Sequence, residues 1–207
     1  MPGKKKLVIL ISSIMAGLLV AGLCLWLLYR DPNWGFARRV SPEERDKRML
    51  LVQTAQMWLG CREEDESHKP IIDLYNSQEV LPQEYELLYT DSWCAAFVTA
   101  CAMDAGLTQI IPPECGCQRQ IELFRQMGRW QEKDTYVPLP GDIIYYDWDE
   151  RKLGDSRGWS DHVGIVTGTF WPYVRVIEGN KDDKVDYRVV SLLDPTIRGY
   201  GLPDYAQ

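Results

Sequence analysis

The feature that most constrains the fold is a change of hydrophobic period near Pro140-Gly141. Before it, apolar residues recur at the spacing of amphipathic helices, whereas after it they form short β-rich runs between Gly, Pro and Asp clusters. Helices are predicted at 41–60, 92–105 and 118–127, and strands at 142–146, 162–167, 173–177 and 185–190. Helices followed by a contiguous set of strands indicate an α+β class, in which N-terminal helices pack on an antiparallel β-sheet.

The helix boundaries are marked by capping residues. Ser41 and Pro42 fit the N-cap and the first helical position, and a Glu in the next turn fits a capping box. An apolar stripe follows and ends at Gly60. Its members are Leu51, Ala55, Trp58 and Leu59. The second helix is predicted to be capped by Asp91 or Ser92, and to present Cys94 in its first turn.

The N-terminal region contains an uncharged apolar run from residue 7 to residue 29, preceded by Lys4-Lys5-Lys6. At about 1.5 Å per residue, a helix of that length spans the roughly 30 Å hydrocarbon core of a bilayer. We therefore predict a cytoplasmic N-terminus at 1–6, a single transmembrane signal anchor at 7–29, a linker at 30–40 and one folded domain at 41–207. The protein is expected in the cell membrane, with that domain on the extracytoplasmic side. The net charge of −7 argues against nucleic acid as a partner.

Five cysteines lie outside this run, and their number is odd. They are Cys61, Cys94, Cys101, Cys115 and Cys117. In an oxidising compartment four of them can pair, which leaves Cys94 as the free thiol. Several reduced, buried cysteines fit the sequence equally well, so both interpretations stay open at this point.

Cys94 is the first candidate for chemistry. Backbone N–H groups in the first turn of a helix are unpaired, and together with the helix dipole they stabilise a thiolate. The same amides suit the oxyanion of a tetrahedral intermediate. The alternative is an inert cysteine on the core face, which is common for free cysteines.

His162, Glu178 and Asn180 are the candidates for a base and its partners. His162 begins one predicted strand, and Glu178 and Asn180 follow the end of the next. If the two strands form a hairpin, the chain after Ile177 returns towards His162, as a nucleophile–base–orienter set requires. The alternatives are a strand-end histidine bonded to a loop carbonyl and a simple Glu-Gly-Asn-Lys turn. His68, among acidic residues, is expected to be a solvated surface histidine.

Four motifs in this order resemble the CHAP domain, a branch of the NlpC/P60 papain-like superfamily. They are Ser92-Trp93-Cys94-Ala95-Ala96-Phe97-Val98, Pro140-Gly141-Asp142-Ile143-Ile144, Asp161-His162-Val163-Gly164-Ile165-Val166 and Ile177-Glu178-Gly179-Asn180. The resemblance extends from about Ser41 to the C-terminal end of the sequence and makes 41–207 a CHAP-like catalytic domain.

The resemblance implies a papain-like fold and a cysteine amidohydrolase or peptidase that cleaves amide bonds in bacterial peptidoglycan, either as an endopeptidase or as an N-acetylmuramoyl-L-alanine amidase. Cys94 would be the nucleophile, His162 the base and Glu178 the orienting acid, with Asn180 at a polar position beside that acid. The expected partners are a peptidoglycan peptide as substrate, the membrane through the N-terminal helix, and an unidentified regulatory protein. The alternatives are a catalytically inactive wall-binding or scaffold module and a cysteine peptidase that acts on a protein.

No cofactor and no metal site is expected. Some relatives bind calcium through an acidic loop, and this sequence has Asp147-Trp148-Asp149-Glu150 followed by Asp155. Those acidic residues lack the regular alternation and the Gly of a calcium loop. We therefore expect a solvated acidic loop.

Overall fold

The computed structural model describes residues 13–23, 35–132, 135–148 and 158–207. The chain divides into two compact units, Met1–Trp34 and Gly35–Gln207. The second unit contains helices α1 (Pro42–Met57), α2 (Lys69–Asn76), α3 (Cys94–Asp104) and α4 (Cys117–Gln126), with a 3₁₀ turn at Pro82–Glu84. Its strands are β1 (Trp130–Gln131), β2 (Ile143–Tyr146), β3 (His162–Phe170), β4 (Tyr173–Lys181), β5 (Lys184–Ser191) and β6 (Ile197–Gly201).

Helix α1 begins as the sequence predicts. The Ser41 hydroxyl accepts a hydrogen bond of 3.1 Å from the Glu44 N–H, and Pro42 occupies the first turn. Leu51 and Ala55 are fully buried, but the helix ends at Met57, so Leu59 lies beyond it and is 45% exposed. The predicted stripe is therefore correct at its centre and wrong at its C-terminal end.

The strands form one antiparallel sheet in the order β1-β6-β2-β3-β4-β5. The four strands predicted from the sequence are all present, and β1 and β6 were not predicted. In the β3–β4 hairpin Ile165 pairs with Ile177. The hairpin on which the candidate site depends therefore forms.

The core lies mainly between the helices and one face of the sheet. Successive residues of β2 point to opposite faces. Ile143 and Tyr145 join the larger cluster with the helices, whereas Ile144 and Tyr146 join a smaller cluster on the other face. The predicted α+β class with an antiparallel sheet is confirmed.

The predicted transmembrane helix at 7–29 is wrong as an element of this fold. Across the described ranges, no helix combines the length and the apolar character needed to cross a bilayer. The described part of the predicted span, 13–23, is helical, and at about 1.5 Å per residue it reaches roughly 16 Å, which is half of the hydrocarbon core. Residues 7–12 and 24–29 of that span lie outside the described residues. The domain bounds and the extracytoplasmic location stay predictions.

Candidate active site

Cys94 is the first residue of helix α3 and is 5% exposed. The N-cap position is held by Trp93, which makes no side-chain capping bond. The predicted cap by Asp91 or Ser92 is wrong, because the Asp91 carboxylate accepts from the Leu88 N–H and from the Tyr85 hydroxyl. Cys94 therefore sits at a helix end without a side-chain cap, where the helix dipole favours a negative charge.

Gly179 allows this end of α3 to approach strand β4. A Cβ atom at Gly179 would lie 2.4 Å from the Phe97 Cβ and 2.9 Å from the Trp93 Cζ3. Any side chain there would push the first turn of α3 away from the sheet. The glycine of the Glu-Gly-Asn motif is thus needed for close packing beside Cys94.

His162 and Glu178 meet across the β3–β4 hairpin. The His162 Nε2 lies 3.1 Å from the Glu178 Oε2, and Glu178 is fully buried. The register places Glu178 opposite Gly164, where a Cβ would lie 2.7 Å from the Glu178 Cγ. Because Gly164 has no side chain, the Glu178 carboxylate has room to reach the ring of His162, which lies two residues before Gly164.

Arg188 on strand β5 is the second partner of Glu178. Its Nε donates to both carboxylate oxygens, at 2.8 and 2.9 Å. A buried carboxylate is costly unless it is paired. Arg188 therefore supplies the charge that makes an ionised Glu178 tolerable beneath His162.

The ionisation of Cys94 and His162 is linked. The hydrogen bond from Cys117 is the largest cause that lowers the pKa of Cys94 well below its usual value; burial opposes it, and His162 and the Ala95 N–H add to it. Burial lowers the pKa of His162, but its hydrogen bonds with Cys94 and Glu178 and their charges bring it to about 9. Because Nε2 is occupied by Glu178, Nδ1 is the ring nitrogen available to the sulfur. The lowered pKa of Cys94 and the raised pKa of His162 both favour the thiolate–imidazolium form of the pair.

Asn180 lies beside His162 but does not take the orienting position, which Glu178 fills. It adopts a φ of 53° at the end of β4 and lines a cavity of about 300 Å³. The other lining residues are Trp148, His162, Lys181, Asp182 and Arg188. Asn180 thus lines the same cavity as the imidazole.

Aromatic rings form one wall of the site. Trp148 stacks on Tyr146 with a centroid distance of 4.8 Å, and the Tyr146 and His162 rings stack at 6.1 Å. The Arg188 guanidinium lies 5.1 Å from the Trp148 ring. The histidine is thus held from the side by packing as well as by Glu178.

Sequence reasoning missed two neighbours of the site, Arg188 and Cys117. Arg188 lies on β5, diagonally across from Glu178, because Val176 pairs with Arg188 and Glu178 with Asp186. The alternating pattern of β5 indicates which face Arg188 lies on. Its closeness to Glu178 follows only once the register of the β4–β5 pair is known. Cys117 begins α4, and its Sγ lies 3.5 Å from the Cys94 Sγ. No local pattern predicts that contact.

The prediction that His68 is a solvated surface histidine is wrong. His68 is 3% exposed, not solvated, and its ring nitrogens lie 3.1 and 3.3 Å from the backbone carbonyls of Tyr89 and Arg62. Its ring also lies 5.8 Å from the Trp93 ring. Asp65 accepts from Ser67, and Glu66 pairs with Lys69. Acidic neighbours in sequence therefore gave the wrong environment for His68.

The cysteines of the described region are free thiols: Cys61, Cys94, Cys101, Cys115 and Cys117. Within that region no group of three or more His, Cys, Asp or Glu side chains could hold a metal ion. Asp147, expected in a solvated loop, is 4% exposed, so that part of the expectation is wrong. Asp149, Glu150 and Asp155 lie outside the described residues.

Comparison with known proteins gives one family and one structure. The sequence matches no curated protein. A solved structure described as "The crystal structure of Ly7917" aligns with a TM-score of 0.40 and 12% identity. The alignment covers 75% of this chain and 62% of that chain, so this chain spans less than two thirds of its length.

The family match falls on the candidate site. Residues 85–180 match the family described as "CHAP domain", and this range contains Cys94, His162, Glu178 and Asn180. CHAP domains are hydrolytic, as amidases or peptidases. A CHAP domain is therefore present at residues 85–180, and it supports a hydrolase domain of the CHAP/NlpC-P60 type.

Proposed function

We propose that this protein is a cysteine hydrolase that cleaves amide bonds in the peptides of bacterial peptidoglycan through Cys94, His162 and Glu178. The observation that carries the proposal is the 3.1 Å contact between the His162 Nε2 and the buried Glu178 carboxylate, beside a Cys94 thiol whose pKa His162 helps to lower. An inert core cysteine needs neither an imidazole nor a paired buried carboxylate beside it. The match to the CHAP domain supports the same chemistry.

The first half of the reaction forms a thioester. The Cys94 thiolate attacks the carbonyl carbon, and the C–S bond forms as the carbonyl electrons move to oxygen. First-turn amides of α3 stabilise that oxyanion. The His162 imidazolium then gives its proton to the amide nitrogen, the C–N bond breaks and the amine leaves.

The second half regenerates the enzyme. Neutral His162 takes a proton from water, and the hydroxide formed attacks the thioester carbon. The C–S bond breaks, a carboxylic acid leaves and the Cys94 thiolate returns beside the imidazolium. Glu178 keeps the ring oriented and stabilises its charge, as the acidic member of a triad does.

Two clefts, one beside the reacting residues and one lined from α4 and the segment before β3, support an extended substrate. One is the cavity next to His162 and Asn180. The other, of about 350 Å³, includes Gln118, which adjoins Cys117, and Trp159, three residues before His162. Both contain charged side chains and an indole, which suit the carboxylates, amides and sugar rings of peptidoglycan.

The test is incubation of the full-length protein with purified peptidoglycan, followed by mass spectrometry of the released fragments. We expect new amine and carboxyl ends, and their identity separates an amidase from an endopeptidase. Cys94→Ala should lower fragment release by at least about 10³-fold. Cys101→Ala is the matched control, because it removes a buried thiol of the same helix away from the site.

The alternatives predict other outcomes. A wall-binding module would sediment with peptidoglycan and release nothing, and a peptidase acting on protein would cleave an unfolded polypeptide but not the wall. Fragment release that is equal in wild type and Cys94→Ala would refute the proposal.

A further inference from the structure

Cys117 is a buried thiol that the proposed reaction leaves without a role. Its sulfur lies 3.5 Å from the Cys94 sulfur, and the two residues are 8% and 5% exposed. A thiol is both a weak donor and a weak acceptor, and a hydrogen bond becomes stronger when the acceptor is ionised. The contact therefore gains strength when Cys94 is a thiolate.

The surroundings decide which sulfur donates. Two thiolates at this separation repel each other, so the pair loses one proton first. His162 helps to lower the pKa of Cys94, through a hydrogen bond and its charge. The pKa of Cys117 is raised well above its usual value, mainly by its hydrogen bond with Cys94, then by burial, with the charges of Cys94 and Asp161 adding to these. Loss of the Cys94 proton before that of Cys117 leaves Cys117 as the donor across the 3.5 Å contact between the two sulfur atoms.

Several hydrogen bonds hold Cys117 in this place. Thr99 on α3 donates its hydroxyl to the Glu114 carbonyl at 2.7 Å and accepts from the Glu114 N–H at 2.9 Å. The Glu114 carboxylate in turn accepts from the Cys115 and Gly116 N–H groups, at 2.8 and 3.2 Å. The loop that leads into α4 is therefore fixed to the helix that bears Cys94.

A second set of contacts fixes the start of α4 to the sheet. The Gln118 side chain accepts from the Ser160 N–H at 3.3 Å, two residues before His162. The Gln120 side chain accepts from the Tyr145 hydroxyl at 2.8 Å and is fully buried. The start of α4 is thus attached to α3, which carries Cys94, and to the segment that leads into β3 and His162, and these bonds limit how far the Cys117 sulfur can move.

We propose that Cys117 is a positioning residue of the hydrolase, whose S–H donates to the Cys94 thiolate and fixes the nucleophilic sulfur beside His162. This role rests on the proposed function, in which Cys94 is the nucleophile. It requires a donor at position 117, and it does not require the Cys117 thiol to contact substrate.

The test compares Cys117→Ala with Cys117→Ser in the full-length protein, kept reduced with a phosphine. The pH dependence of iodoacetamide alkylation at Cys94 is followed by mass spectrometry. Loss of a hydrogen bond to a charged group should raise the alkylation midpoint of Cys117→Ala by about one pH unit. Serine retains a donor, so Cys117→Ser should shift by less than half as much. Cys101→Ala is the control and should not shift.

The same variants are assayed on peptidoglycan over pH. The acidic limb of the kcat/KM profile should move upwards in Cys117→Ala and should be largely restored in Cys117→Ser. If Cys117→Ala does not fold, Cys117→Val fills the space without a donor and takes its place. An unshifted midpoint in the alanine or valine variant, or equal shifts in the serine and alanine variants, would overturn the proposal.

These outcomes separate the two proposals. Alkylation needs no substrate. If the wild type releases no fragments but the Cys94 midpoint of Cys117→Ala is shifted, the proposed function is refuted and the sulfur contact is retained. Fragment release that depends on Cys94, combined with an unshifted midpoint, refutes only the role of Cys117.

Discussion

Cys94 and Cys101 lie on the same helix, about two turns apart, and both are buried. Burial, together with the charge of Asp104, raises the pKa of Cys101 well above its usual value. At Cys94, the Cys117 hydrogen bond, followed by His162 and a first-turn amide, outweighs burial and lowers the pKa well below the usual value. Burial alone raises the pKa of a thiol, so the lowered pKa of Cys94 comes from its partners at the helix end.

His162→Ala should raise the pKa of the Cys94 thiol and so reduce its difference from Cys101. Without the imidazole, the Cys94 alkylation midpoint should rise towards about 8.5, the value of a free thiol, and stay below that of Cys101 because the Cys117 hydrogen bond remains. Peptidoglycan hydrolysis should fall by about 10³-fold, because the base and the proton donor are lost together. Alkylation followed by mass spectrometry and a fragment-release assay measure these changes.

His68→Gln is the matched control for the other histidine. It removes a buried ring that faces two backbone carbonyls, so it should lower the melting temperature and leave the Cys94 midpoint in place. If the Cys94 alkylation midpoint of His162→Ala equals that of the wild type, His162 does not contribute to the lower pKa of Cys94.

The alkaline limb of the pH profile should report His162. Its pKa of about 9 means that the imidazolium is present below that pH and is lost above it. Since the imidazolium protonates the departing amine, kcat/KM should fall about tenfold per pH unit above 9. Steady-state kinetics on peptidoglycan measure this limb. If kcat/KM still rises at about pH 10, roughly one unit above the pKa of His162, then His162 is not the proton donor.

Substitution of Arg188 should lower activity and stability, because its guanidinium pairs with the buried Glu178 carboxylate. Arg188→Gln leaves the buried carboxylate with His162 but without its cationic partner, which we expect to lower kcat about tenfold and stability by roughly 1–2 kcal/mol. Arg188→Lys keeps the charge but not the planar guanidinium, so its effect should be intermediate. Thermal unfolding and fragment release measure the two effects. A lysine variant worse than the glutamine variant would argue against a role for charge.

Gly179→Ala should disturb the end of α3 that carries Cys94 and spare the end that carries Cys101. The added methyl would meet Phe97 and Trp93, and we expect a loss of about 1–3 kcal/mol in unfolding free energy. Gly22→Ala is the control, because a Cβ at Gly22 has nothing within 4 Å. Denaturant unfolding measures both variants, and equal stability would show that the close approach of α3 and β4 is not required.

Much of the fold could be predicted because its signals are local. Ser41 and Pro42 mark the start of α1, and the alternation of β3 and β4 gives a hairpin whose geometry returns Glu178 towards His162. Strands β1 and β6 could not be predicted, since β1 has two residues and β6 contains two glycines.

The errors come from inferences that local sequence cannot support. The length of an apolar run predicted a spanning helix that the described residues do not form. Acidic neighbours predicted a solvated His68, but the packing of Trp93 and two backbone carbonyls bury it. Cys117 and Arg188 reach the site through tertiary packing and strand register, and neither has a sequence motif.

The most direct test of the central claim is a pH titration of the ultraviolet absorbance of the thiolate in the full-length wild type, with Cys94→Ala subtracted. We expect a Cys94-dependent thiolate signal that is already present at neutral pH, with a midpoint well below about 8.5. A signal that appears only at or above that value would contradict this expectation, because Cys94 would then be as inert as Cys101.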